Sequence, residues 1–168
     1  DPTLARIEAY THHWPLLITV MPATFGPPDV DRYIAEIDAL YKRRERFASF
    51  VDTTGLASLP GANERKRLAE WQNETIDLIG RYNVVTTTVV ASPLMRGALT
   101  AMNWLFRPPN EQVAVASASE GFAICIDRMR KNGLPITPSA ELLARSGTPV
   151  QTADLVAGAP LRAAGTSR

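Results

Sequence analysis

Asp52 is the acid best placed to do chemistry in this sequence. It closes an apolar run, Phe47–Val51, and is followed by the turn formers Thr53, Thr54 and Gly55. A carboxylate at the end of a buried strand can bind a partner or orient a hydroxyl. It can equally accept hydrogen bonds from the N–H groups of the turn that follows, and that structural reading is favoured. Acid–base catalysis needs a second positioned group, and neither His12 nor His13 is aimed at Asp52. As neighbours on a strand these two histidines point to opposite faces, so they do not chelate together and no metal is expected. Arg65, Lys66 and Arg67 concentrate positive charge at a helix start. They read first as a solvated face and second as a dock for an acidic or phosphorylated partner. Arg96 lies in the first turns of an apolar segment, where it can pair with Asp52 if both sit at one sheet edge. Trp104 reads as core or as part of an interface. Cys125, the only cysteine, reads as a small core residue and leaves no internal disulfide to form. Phosphate-cradling, dinucleotide-binding and serine-elbow spacings do not occur, so no cofactor is expected.

Alternating elements must position these residues. Ile7, Ala9 and Tyr10 suit an edge strand, and Leu16–Met21, bounded by Pro15 and Pro22, reads as the strand it pairs with in a hairpin. Pro28 suits the first position of a helix, and Asp29 and Asp31 favour its positive end. Val30, Tyr33, Ile34, Ile37, Leu40 and Tyr41 mark its apolar face. The basic run Lys42, Arg43, Arg44 and Arg46 reads as its C-terminal cap and solvated end. After the strand Phe47–Val51, Asn63 is expected to cap a helix on which Leu68, Trp71, Thr75, Ile79 and Tyr82 fall along one side. Val84–Val90 is strongly β-branched and reads as a central strand. Ser92 and Pro93 start a helix, Leu94–Phe106, that is apolar over much of its surface. Val113–Ala116 is a short strand, Ser117 to Glu120 has capping-box spacing, and Phe122, Cys125, Ile126 and Met129 form the inner face of the helix that follows. Strand and helix alternate from Leu16 to Gly133. That pattern predicts an α/β fold with a mixed, mainly parallel sheet of four or five strands flanked by helices.

Residues 1–133 are read as this domain and 134–168 as a C-terminal extension. The extension holds a short helix over Thr137–Arg145 and then a flexible tail. Within the tail Ala153–Arg162 has the form of a docking peptide, although an unstructured end is the simpler reading. The length of 168 residues suits one domain plus such a tail. A net charge of +1 argues against a global role on nucleic acid or at a membrane surface. The longest apolar runs are too short to span a bilayer and no signal-peptide pattern opens the chain, which makes a cytoplasmic protein the expectation.

Three stretches carry a family resemblance. Val51-Asp52-x-x-Gly55-Leu56 with Asn63–Trp71, and Ser92-Pro93-Leu94-x-Arg96-Gly97-Ala98-Leu99-Thr100-Ala101-x-x-Trp104-Leu105, resemble the bacterial STAS-like, SpoIIAA-like proteins, as does the late strand followed by a helix at Ser119–Arg130. The likeness covers roughly Trp14 to Gly133. It implies a four- or five-stranded mixed sheet and a regulator or scaffold, and some relatives of this fold group bind lipids. In the anti-sigma-factor antagonists of this class a phosphorylatable serine follows an aspartate at the start of the second helix. Pro60 and Gly61 stand at that place here, and Thr54 and Ser58 do not match it. The resemblance therefore implies a module without the serine phosphoswitch.

Three functions follow in order of expectation. The first is a non-enzymatic regulatory or scaffold module working through protein contacts, with Asp52, Thr54, Arg65, Lys66, Arg67, Arg96 and Trp104 as partner-facing residues and a homodimer as one form. The second is a binder of lipid or another small apolar ligand, because an apolar helix beside a sheet can open a pocket. An enzyme using Asp52 with Arg96 or Thr54 comes last.

Overall fold

The computed structural model describes residues 6–145, with the side chains of residues 102–105 outside that description. β1 (Glu8–His13) and β2 (Leu16–Val20) form the expected antiparallel hairpin, with Glu8 opposite Val20 and His13 opposite Leu16. After α1 (Pro27–Tyr41) the chain enters β3 (Phe47–Asp52), parallel to β2. α2 (Ala62–Glu74) and α3 (Ile76–Tyr82) lead to β4 (Asn83–Val89), and α4 (Pro93–Phe106) leads to β5 (Glu111–Val115), both strands again parallel to their predecessors. α5 (Ala118–Lys131) and α6 (Pro138–Arg145) end the described chain. The result is an α/β fold with one five-stranded mixed sheet, mainly parallel, in the order β1-β2-β3-β4-β5. No helix among the described residues is long and apolar enough to cross a membrane.

Strand alternation divides the core in two. Leu17 and Phe47 pack with Val30, Ile34, Ile37, Trp71 and Ile79 on the face covered by α1, α2 and α3. Ile18, Phe50, Val85 and Val115 pack with Phe122, Ile126 and Met129 of α5 on the other. Ala140 and Leu143 of α6 are buried in this second cluster, so the segment just after α5 closes the core rather than trailing from it. Phe50 and Phe122 stack with ring centroids 3.9 Å apart, and Gly121 lets α5 come that close. A Cβ on Gly121 would stand 2.8 Å from the Phe50 ring and 3.2 Å from Val115.

Several local expectations change. The helix after β3 is two helices, not one. Thr75 leaves helical geometry at φ −106°, ψ 11°, and its hydroxyl donates to the Trp71 carbonyl at 2.7 Å, bonding back onto the preceding turn. Asn63 does not cap α2, because the helix begins at Ala62 with Gly61 before it. α1 likewise begins one residue early, at Pro27, and Asp29 accepts the Gly26 N–H at 2.9 Å. The basic run after α1 lies beyond its last turn. Arg44 adopts φ 55°, Arg43 covers the Trp14 ring at 4.5 Å, and the Arg46 guanidinium donates to the Asn132 carbonyl at 2.5 Å. Lys42 is the C-cap of α1, its backbone N–H donating to the Asp38 and Leu40 carbonyls, and the run is exposed as expected, while Arg43 and Arg46 also brace the loops around the start of β3.

Candidate functional site

The strand-to-helix edge at Asp52 is closed by its own turn. Asp52 is buried, and its Oδ1 accepts from the Thr54 backbone N–H at 2.8 Å and from the Thr54 hydroxyl at 2.6 Å. The Thr53 hydroxyl donates to the Val89 carbonyl at 2.5 Å, and Met21 N–H donates to the Asp52 carbonyl at 2.9 Å. Gly55 completes the closure. A Cβ there would sit 2.8 Å from the Met21 carbonyl oxygen, a backbone atom that cannot step aside. The carboxylate thus serves the turn, as the structural reading of the sequence favoured.

The basic candidates are also engaged locally. Arg65 donates to the Pro60 carbonyl at 2.8 Å and holds the loop ahead of α2. Lys66 stands 3.9 Å from Glu70 on the same exposed face. Arg67 reaches Asp31 at 3.3 Å and links α2 to α1. Arg96 is exposed on α4 and makes no ion pair with Asp52, whose Oδ1 is taken by Thr54. Trp104 belongs to α4, but its side chain lies outside the described residues, as does the Ala153–Arg162 segment. His12 is exposed and His13 buried, on opposite sides of β1. The His13 Nδ1 lies 2.8 Å from the Ser139 hydroxyl, and desolvation, aided by His12, pushes the imidazole below its usual pKa. Cys125 lies under α5, 3.2 Å from the Thr87 hydroxyl, and burial pushes its thiol up to about 12, which keeps it an inert thiol. Among the described residues no group of three His, Cys, Asp or Glu side chains is disposed to hold a metal ion.

The space that can hold something lies elsewhere, between the sheet and its covering helices. An apolar chamber of about 210 Å³ is bounded by Met21, Phe25, Leu56, Leu68, Met95 and Leu99, with Val51, Thr88 and Val90 as its floor. A second chamber of about 130 Å³ adjoins it towards the start of the strands. Tyr33, Trp71, Gln72, Thr86, Phe106 and Gln112 line both chambers and form the wall they share. Trp71 is fixed there by donating its indole N–H to Asp38 of α1 at 2.8 Å.

Register explains the chemistry of this floor. Leu17 pairs with Ser49, Ser49 with Thr86, and Thr86 with Gln112, so one row across the cavity-facing side of the sheet turns polar from β3 to β5. The Thr86 hydroxyl accepts from the Asn83 and Asn110 side-chain amides, each at 3.1 Å, and Gln112 donates to Asn110 at 2.9 Å. Asn83 is buried and its Oδ1 has no hydrogen-bond partner. Tyr41 and Tyr33, beside this row, have their phenols pushed up by burial and stay neutral. Among the described residues, neither chamber is lined by an Asp, Glu, Lys, Arg or His.

The charged candidates of the sequence do not line either chamber, and the neutral polar row carries no charge to mark it in the sequence. Its signal was present: Ser49, Thr86 and Gln112 occupy strands of a parallel sheet, which are normally apolar on both faces. No protein-family model matches the chain, and neither a curated protein nor a solved structure is significantly similar to it.

Proposed function

We propose that the chain is a non-enzymatic, STAS-like binding module that takes up a small apolar molecule between its sheet and helices α2 and α4. The chamber lined by Met21, Phe25, Leu68, Met95 and Leu99 carries this reading. An apolar pocket with a few convergent polar groups is the usual form of a small-molecule site. A dry cavity of about 150 Å³ already admits benzene, so about 210 Å³ accommodates a ring with a substituent or a short chain. Among the described residues the lining offers no carboxylate, imidazole, ammonium or thiol to act as acid, base or nucleophile, which favours binding over turnover.

The test is uptake of a neutral naphthylamine dye, together with native mass spectrometry of the purified protein. Dye fluorescence should rise on the folded chain and a retained mass should appear. Ala98→Phe, which fills the chamber from α4, should abolish both while leaving the protein folded. A native protein that takes up no dye and carries no extra mass in repeated preparations would refute the reading.

The same face favours a second role, regulation through protein contacts. Leu94 is 74% exposed on α4 directly beside the cavity residue Met95, and Leu59, also at the cavity, is 39% exposed. A regulatory or scaffold module would use this apolar rim to engage a second copy or another protein. Light scattering across a concentration series tests the dimer form, and a strictly monomeric protein removes it.

A further inference from the structure

We propose that the two chambers together select a neutral amphiphile: an apolar body in the larger chamber and an uncharged head that both donates and accepts hydrogen bonds in the smaller. The inference rests on the small-ligand reading above and specifies the chemistry of its ligand.

Polarity is segregated along the cavity. Side chains found only in the larger chamber include Met21, Phe25, Leu56, Leu68, Met95 and Leu99. Those found only in the smaller one include Ser49, Asn83 and Asn110, with Thr86, Gln72 and Gln112 standing at the junction. A wholly apolar ligand would strand these amides and hydroxyls without water. A ligand with one polar end would meet them.

The head must be uncharged. A buried carboxylate or ammonium needs a counter-charge or dense hydrogen bonding to offset its lost hydration. Among the described residues, the side chains lining both chambers supply no charge of either sign. What they supply is a chain of neutral groups. Gln112 donates to Asn110, and Asn110 and Asn83 both donate to the Thr86 hydroxyl. With both lone pairs of that hydroxyl taken, its own O–H remains to be donated. The Asn83 Oδ1, in a residue only 9% exposed, has no donor among the described residues, although the Asn83 side chain also meets the Tyr41 phenol. One spare donor and one spare acceptor at the same end of the cavity match a primary amide or an alcohol, each of which carries both functions.

The experiment uses the full chain and five probes with one body: phenylpropanol, phenylpropanamide, phenylpropanoate, phenylpropylammonium and propylbenzene, titrated at neutral pH by amide NMR. The alcohol and the amide should bind, shifting signals of Ser49 and Thr86 as well as of Met95 and Leu99. The carboxylate and the ammonium should bind roughly 100-fold more weakly. Propylbenzene should bind roughly 10-fold more weakly than the alcohol, through the loss of about one net hydrogen bond. Gln112→Lys, which puts a cation at the half-exposed rim of the row, should recover phenylpropanoate binding without strengthening the alcohol. Carboxylate binding equal to alcohol binding would overturn the neutral-head inference while leaving an apolar ligand site. Propylbenzene binding equal to the alcohol would overturn the role of the polar row. Failure of every probe would overturn this inference and the function on which it rests.

Discussion

Replacing Asp52 separates a carboxylate that builds a turn from one that serves a ligand or partner. The two bonds it accepts from Thr54 differ in what their loss would cost. The backbone N–H, at 2.8 Å, is charge-assisted and belongs to a turn pinned on both sides by Met21 and Val89. Hydrogen bonds to charged groups contribute about 1.5–3 kcal/mol. The Thr54 hydroxyl, at 2.6 Å, sits on an exposed side chain and can turn to water, so its net contribution lies at the low end of the ordinary range, about 0.5 kcal/mol. Asp52→Ala removes both bonds and should cost about 2–3.5 kcal/mol. Asp52→Asn keeps an acceptor oxygen in place, loses only the charge assistance, and should cost about 1 kcal/mol. Thr54→Ala should cost no more than about 0.5 kcal/mol. For a chain of this size each kcal/mol lowers the melting temperature by about 2–4 °C. Urea titration gives the free energies, and the dye assay gives ligand uptake on the same samples. Uptake should be unchanged in Asp52→Asn once the protein is folded. A variant as stable as the parent that has lost ligand or partner binding would refute the structural assignment and restore Asp52 as a functional acid.

Two further outcomes follow from the packing of α5 and α6. Gly121→Ala gains about 1 kcal/mol of helix propensity, but its Cβ meets the fully buried Phe50 ring at 2.8 Å, and that ring is held against Phe122, so overpacking of about 1–3 kcal/mol dominates and urea melts should show a net loss. His13 is kept neutral by burial, so the unfolded chain binds its proton first; stability should fall as pH drops below the unfolded value of about 6.5, and His13→Gln should flatten that slope in melts taken between about pH 5 and pH 8.

Much of the fold is legible because local chemistry and global architecture agree. The β-branched run in β4 is a strand wherever it stands, and Ser92 with Pro93 can start a helix without help from distant residues; the Ser92 hydroxyl accepts the Met95 N–H at 3.2 Å. The capping residues at Ser117 and Glu120 act as their spacing suggests, although the Glu120 carboxylate reaches the Ala116 N–H at 3.4 Å rather than that of Ser117. The break at Thr75 was not legible, because the apolar spacing of Trp71, Thr75, Ile79 and Tyr82 continues across it. A threonine hydroxyl can bond back to the preceding turn or turn outward, and tertiary packing decides which. The cavity was hidden for a different reason. Ser49, Thr86 and Gln112 are separated by dozens of positions and are neutral, so neither proximity nor charge marks them. Only the register of three parallel strands brings them into one row.

That row also accounts for the cavity itself. Beneath α5, the strands present Ile18, Phe50, Val85 and Val115 with a single hydroxyl, Thr87, that donates to the Gly121 carbonyl of the helix itself, and the helix packs down until Gly121 touches the sheet. Beneath α2 and α4, the corresponding positions are Ser49, Thr86, Thr88 and Gln112, and the helices stand off around two chambers. An apolar helix face laid directly on hydroxyls and amides would cut them off from partners, at a cost of roughly 1–3 kcal/mol for each one left unsatisfied. The side chains of Asn83, Thr86, Asn110 and Gln112 bond to one another instead, which fixes them in place. One face of the sheet is built to be filled by its own helix. On the other face α1 packs down on Leu17 and Phe47, and only the part beneath α2 and α4 carries groups whose hydrogen-bonding capacity the described residues do not exhaust, as the Asn83 Oδ1 shows; a ligand with a matching neutral end would complete that part.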